Sequence, residues 1–292
     1  MTVESINNIN ICYDTHCTDH NLYIYDYHCY CIDLLRQRAA QSQAAINIIF
    51  GQCSYNFNNS NRTLRVGAQH EHTLIKTEET SHTKYSDSYY LTRIDNLDYL
   101  NTLDHVFEYS MPNICNVKSN EAFADLSSKT LYIAPTWYDI NFDSGHRNNI
   151  ITLHTTNPRR NNITERILQQ QIPLTNITGC NGRQNICKLY TETKILINVH
   201  QTENHRTFEE LRVLPALLNG VIIVSEDVPL RETIPYSDYI IWTDYEDIPR
   251  IAAEVANNYH THYQKLFANS PLESLLKDMK MNNLKNLDIL GF

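Results

Sequence analysis

KILINVHQTENHRTFEELRVLPALLNGVIIVSE, residues 194–226, decides the fold. It opens on a nearly wholly apolar run, KILINV, and closes on another, VIIVSE. Between them TFEELRVLPALLNG has helical periodicity and stops at Gly220, the residue that most easily takes a left-handed C-terminal cap. Strand, helix and strand in that order make a parallel crossover, and a continuous apolar strand suits a sheet covered on both faces. Thr207 with Glu210 three residues on matches a capping box and sets the helix start there. Pro215 predicts a kink, because its ring clashes with the preceding turn. Glu209 and Arg212, three apart, read as an ion pair on the solvated face.

The same alternation runs outward in both directions. Upstream in this half, IITLH (150–154) reads as a strand, NITERILQQQ (162–171) as a helix, NITGC (176–180) as a short strand and GRQNICKLY (182–190) as a short helix. Downstream, YIIWTD (239–244) reads as a last strand and 245–267 as one long helix. The first half alternates too: strands at 8–13, 46–50, 63–67, 104–109 and 129–135, helices at 28–41 and about 95–103, and a polar loop over 76–90. The expected fold is α/β, with two Rossmann-like domains facing a cleft: 1–147 on the acceptor side, 148–268 on the nucleotide side, and an amphipathic tail over 269–292. Open parallel sheets bind ligands beyond the carboxyl ends of their strands. His200, Glu226, Asp244 and the turn after His154 are expected there.

Bulk composition excludes several classes. No run reaches the roughly 18 apolar residues of a membrane span, and the first residues lack the pattern of a secretory signal, so a cytoplasmic protein is expected. A net charge of −9 argues against a nucleic-acid groove. The seven glycines form neither GxGxxG nor GxxxxGK[ST], against dinucleotide oxidoreductases and P-loop phosphotransferases. Cys12, Cys17, Cys29, Cys31, Cys53, Cys115, Cys180 and Cys187 make no paired CxxC knuckles and read as reduced thiols.

Why polar residues crowd into HQTENHR is a question of position. That loop follows a central strand and leads to a helix N-terminus, where free N–H groups and the dipole favour an anion. Ser225 and Glu226, ending the next strand, could hold a ribose or sugar hydroxyl. Arg159 and Arg160, after Asn157-Pro158, suit bidentate capture of a diphosphate. His200 fits either a ligand contact or a cap; Glu203, His205 and Arg206 read as loop solvation. In the first half, QHEHT (69–73) offers His70 and Glu71 as a general base for an acceptor hydroxyl, and YDTHCTDHNLY (13–23) offers Asp14 or His16 instead. His70 and His72 have nothing nearby to complete a metal shell. Tyr109, Ser110 and Asn113 read as structural residues of the domain junction.

These residues resemble GT-B fold glycosyltransferases, family 1 or 4-like, and especially the CgeB-like group of bacteria and large DNA viruses. The pattern NVH, a polar loop, E.LR..P.LLNG and VIIVSE is similar to the C-terminal half of that fold. ITLHTTNPRRNNITERIL (151–168), TGCNGRQNICKLYTETKILINVH (178–200) and EYSMPNI (108–114) also match it, over roughly 105–265. The resemblance implies transfer of a sugar from a nucleotide diphosphate, UDP or GDP, to a glycan or protein acceptor, without a resident cofactor or metal. It implies a donor set of Asn157, Arg159, Arg160, His200, Thr207, Glu209, Glu210, Ser225 and Glu226. Thr207 and Pro215 stand where many retaining members carry two glutamates eight positions apart. Other readings are a silent module that binds a nucleotide sugar or glycan, an assembly protein that uses its tail to oligomerise, and a two-domain sugar epimerase, which needs an acid pair across the cleft.

Overall fold

The computed structural model describes residues 1–14, 22–69, 74–76, 90–92, 97–119, 121–143, 145, 147–180, 182–201, 203 and 208–292. The chain is an α/β protein with two large sheets. The first begins as a hairpin of β1 (Thr2–Ile6) and β2 (Ile9–Tyr13), antiparallel to each other. Its turn holds Asn7 at φ 53°, which asparagine tolerates, and the Asn7 amide donates to the carbonyls of Ala39 and Ser42. β2 then pairs in parallel with β3 (Ile46–Phe50), β3 with β4 (Arg62–Ala68), β4 with β7 (His105–Glu108) and β7 with β8 (Thr130–Tyr132). A separate hairpin, β5 (Leu74–Lys76) with β6 (Tyr90–Thr92), interrupts the β4 to β7 connection. Of the expected polar loop at 76–90, only the two ends are described, and both are strand.

The sequence reading missed β1, whose side chains alternate between half-buried and exposed and so carry little apolar signal. It also started the first helix late. That helix, α1 (Leu22–Ala40), shares a core with β2, β3 and β4 through Tyr27, Cys31, Leu34 and Leu35. Another face is covered by α2 (Leu97–Asn101), α3 (Met111–Lys118) and α4 (Ala124–Lys129), around Leu103, Val106, Val117 and Leu126.

The chain leaves the first sheet at Tyr132 and enters the second at Asn149. Five parallel strands follow in the order β10-β9-β11-β12-β13. They are β9 (Asn149–Thr152), β10 (Leu174–Asn176), β11 (Thr193–Asn198), β12 (Ile222–Glu226) and β13 (Ile241–Thr243). The chain steps outward from β9 to β10, then returns past β9 to β11, so the order reverses between β9 and β11. A crevice opens at such a point beyond the strand ends. α5 (Pro158–Gln169) lies against α8 (Ile248–Asn257), and α6 (Arg183–Thr191) against α7 (Glu210–Leu218). Every residue of β12 is buried, as its apolar run requires.

Three element assignments need correction. β10 precedes the expected 176–180 strand, because Asn176 is tied to Thr152 and His154 and the chain then turns through Gly179 at φ 75°. The long terminal helix is broken into α8, α9 (Tyr259–Tyr263) and a π-helical stretch, Gln264–Ala268. Asn258 ends α8 by donating its side-chain amide to the Glu254 carbonyl at 3.0 Å. The helix after Thr207 begins at Glu210 rather than at the capping box. Gly220 closes it at φ 69°, as its position suggested.

The tail forms α10 (Leu272–Asn286), which runs along both sheets. Leu272, Leu276 and Met279 join the core of the second sheet, and Leu287 and Leu290 that of the first. Asn283, buried at the crossing, accepts from the Ala134 amide at 2.9 Å and donates to the Ala134 carbonyl at 2.8 Å. Its amide also reaches Tyr30 and Thr136. Asn283→Ala would strand buried backbone groups and is expected to cost about 2–3 kcal/mol, read as a lower urea midpoint with unchanged slope.

Candidate functional site

The crevice of the second sheet is built from the ends of β9, β11 and β12. α5 starts there with Asn157 as its N-cap, the Asn157 side chain accepting from the Arg160 amide at 2.9 Å. Pro158 opens the helix, where no N–H is needed. The Asn157 amide also reaches across to the Gln201 carbonyl at 2.9 Å, fixing the loop after β11.

The two arginines part company. Arg159 grips both oxygens of Glu226, one at 2.8 Å, and donates to the His200 carbonyl at 3.1 Å. Its guanidinium carbon sits 3.9 Å from the centre of the Tyr245 ring, and the Tyr245 hydroxyl donates to the Arg159 carbonyl. Glu226 also accepts from the His200 amide at 3.0 Å, with His200 Nδ1 3.3 Å from its other oxygen. Burial works against the Glu226 charge, but His200 and Arg159 outweigh it and hold the carboxyl at about 2.

Arg160 is buried and meets no carboxylate within hydrogen-bond reach among the described residues. It donates to the carbonyls of Val199 and Thr155 at 3.1 and 3.2 Å, and to the Thr155 hydroxyl. Arg212, from α7, faces it. Burial and that neighbouring charge pull the Arg160 pKa down to about 10, an unusual strain on a guanidinium. His154 lies in the same field. Burial, then Arg160 and Arg212, depress it to about 4, so its ring is neutral, and its Nδ1 lies 3.3 Å from the Thr155 carbonyl. His154 Nε2, His200 Nε2 and Arg159 Nε are buried with no hydrogen-bond partner among the described residues. The crevice thus offers excess positive charge together with unfilled donor and acceptor positions.

The other expected residues fall elsewhere. Ser225 is fully buried, accepting from Asn198 and donating to the Glu226 carbonyl, both at 3.0 Å. Glu209 precedes α7 and makes no side-chain cap. Glu210 is fully buried and accepts from the Tyr236 hydroxyl at 2.8 Å, so it closes no capping box. Arg212 donates to the Asn198 side chain at 3.4 Å. Asp14 is exposed at the end of β2, 3.8 Å from the N-terminal amine. His16, His70, Glu71 and Thr207 lie outside the described residues.

Sequence reasoning missed Arg212, His154 and Tyr245 as parts of this site. Arg212 had a signal, since one helical turn brings it toward the crevice end of β11. Tyr245 had none before β13 was placed beside β12.

No protein-family model matches the chain. It is similar to an uncharacterised protein of Acanthamoeba polyphaga mimivirus, 27% identical over 213 residues, which span 68% of this chain and 72% of that protein. No described helix is long and apolar enough to cross a membrane.

Removing Arg159 leaves Glu226 buried with His200 alone. Arg159→Ala is therefore expected to cost about 3 kcal/mol at neutral pH. Because Glu226 is held at about 2, below its ordinary 4.5, the stability it adds is full above pH 4.5 and is lost as pH falls toward 2. Acid unfolding followed by circular dichroism should show that part of the acid limb flattened in the variant.

Proposed function

We propose that this protein is a nucleotide-sugar-dependent glycosyltransferase with a GT-B-like arrangement of two Rossmann-like halves. One observation carries the reading: at the point where the strand order of the second sheet reverses, Arg160 lies buried, and the like charge of the partly buried Arg212 acts on it more strongly than the carboxylates Glu209 and Glu226. Like charges so placed repel, and an anion between or beside them relieves both the repulsion and the desolvation. A diphosphate supplies that anion. The neutral His154, with its unpartnered Nε2, accepts a hydroxyl, which a sugar or ribose provides. A ligand with phosphates at one end and hydroxyls at the other satisfies both.

In this reading α5 and the loop after β11 hold the donor, and the arginines stabilise the departing nucleoside diphosphate as the glycosidic bond to it breaks. Arg159 is already neutralised by Glu226, so it orients while Arg160 and Arg212 receive the charge. The acceptor hydroxyl enters from the first sheet. The reaction proceeds in the cytoplasm, that of the host for a viral protein.

A silent module that binds a nucleotide sugar without transfer is the second reading. It is favoured by Pro215 inside α7 and Thr207 ahead of it, where retaining relatives of this fold carry acids.

A thermal-shift panel of nucleoside diphosphates and their sugars tests both. At about 100 times Kd a ligand adds roughly 2.7 kcal/mol of stability. The wild type should respond to one nucleotide family, and Arg160→Ala should lose the response while keeping its fold. Release of free nucleoside diphosphate from the responding donor separates the transferase from the silent module. No response to any nucleotide would defeat both.

A further inference from the structure

Two thiols meet on the face of the first sheet that is turned away from α1. Successive side chains of a strand point to opposite faces. Ile11, Tyr13, Ile48 and Phe50 of β2 and β3 join the α1 core. Cys12 and Ile49, which are register partners, form a small separate cluster with Cys53 and Phe57. Cys53 comes back over the sheet because the chain turns at Gly51, at φ 84°, just beyond the end of β3. The sulfurs of Cys12 and Cys53 lie 3.8 Å apart, and the Cys53 thiol also donates to the Phe50 carbonyl at 3.5 Å. Both are free thiols. Cys12 has no exposed surface, and Cys53 is 8% exposed.

A disulfide needs its sulfurs at about 2.05 Å, so closing the bond asks for an approach of less than about 2 Å. Cys12 is not the partner that moves, since β2 is paired on both sides, by β1 and by β3. The loop that carries Cys53 is held differently. From Gln52 to Ser60 no backbone group is hydrogen-bonded to the sheet backbone among the described residues. The loop is pinned instead at its far end, where the side-chain amides of Asn59 and Asn47 pair at 2.8 and 3.3 Å. A shift at Cys53 therefore breaks no rung of the ladder.

The geometry points to Cys12 and Cys53 as a reversible disulfide site that fastens the loop after β3 to the first sheet, formed by exchange with a small-molecule disulfide such as oxidised glutathione. The site does not depend on the sugar-transfer reading. Cys53, the more accessible thiol, attacks first as its thiolate, forms a mixed disulfide and releases one glutathione thiolate. Cys12 then attacks the Cys53 sulfur and releases the second. The two protein thiols give up their protons to the two departing glutathiones, so the pair is oxidised by two electrons and the small disulfide is reduced by two. Burial, with Cys53 beside it, pushes the Cys12 thiol up, so Cys12 rests as a neutral thiol until the mixed disulfide is in place. The bond joins residues 41 apart, across α1 and β3. Confining the unfolded chain over such a span raises the folding equilibrium by on the order of several hundredfold. It also fixes a loop at the carboxyl end of β3, the end at which open parallel sheets receive ligands.

The test refolds the full chain from urea in glutathione buffers of graded oxidised-to-reduced ratio, so that equilibrium is read rather than access. Remaining thiols are alkylated and the digest is mapped by mass spectrometry. The expected result is one cross-linked peptide pair, Cys12 to Cys53, that grows with the oxidised fraction and is removed by dithiothreitol. The linked protein should keep its circular dichroism and melt at a higher temperature than the reduced one. Cys12→Ala and Cys53→Ala should show neither the link nor the redox-dependent rise. The wild-type map decides the matter even where a variant fails to fold. Alkylation of both thiols at every ratio, a glutathione adduct left on Cys53 with no link, or a link from either residue to another cysteine overturns the site. A linked chain that melts below the reduced one overturns it too, because the native geometry then rejects the bond.

Discussion

Charge that is taken out of water must be paired or neutralised, and this protein uses each solution in a different place. Where a guanidinium can reach, the carboxylate stays ionised, as Glu226 does under Arg159. Where none is hydrogen-bonded, burial keeps the proton on, as at Glu210 against Tyr236. Arg160 is hydrogen-bonded to neutral oxygens among the described residues, and the carboxylates Glu209 and Glu226 offset its burial only in part. A guanidinium does not give up its proton at neutral pH, and carbonyl oxygens solvate it without cancelling its charge. The free energy of that arrangement is unfavourable in isolation, and an anion bound there would offset it. The topology places Arg160 beyond the ends of β9 and β11, where the strand order reverses.

The two halves also share their scaffolding. α10 covers apolar surface on both sheets and plants Asn283 under Ala134, so neither half finishes its core without the tail. Burial of Leu272, Leu276, Leu287 and Leu290 contributes on the order of 1.5–3 kcal/mol each. The exposed side of the helix carries Lys277 paired with Glu273, and Met281 is its one large apolar side chain left in water. The apolar face of the amphipathic tail is thus packed within the chain.

How much of this was legible in the sequence varied with the source of the signal. β11, β12 and the return at Gly220 were plain, because unbroken apolar runs and a left-handed glycine are local. The Asn157-Pro158 helix start is equally local, yet the helix was expected only from 162, with Arg159 and Arg160 in the loop before it, whereas they lie in its first turn. Glu210 was misread for the opposite reason. Spacing from Thr207 suits a capping box, but Tyr236, remote in sequence from that cap, donates to the carboxyl instead. The fully buried environment of Glu108 could not be found from the sequence, since nothing local distinguishes this glutamate at the end of β7 from Glu226 at the end of β12. β1 escaped because a half-exposed edge strand has no apolar rhythm to read.

The division of labour between Arg159 and Arg160 follows from this last point. Adjacent arginines at a helix start look interchangeable, yet the roughly 100° between consecutive helical residues sends them to different neighbours. Arg159 lies flat on Tyr245 and is bound at both ends of its fork by Glu226, so its donors are largely committed. A ligand that displaced Glu226 would leave that carboxylate buried and unpaired, a cost of several kcal/mol against binding. Arg160 loses only neutral contacts when it turns to a phosphate, and gains relief from Arg212 in the same step. The crevice therefore favours anions that approach from the Arg160 side, with Glu226 left in place as the fixed wall of the site.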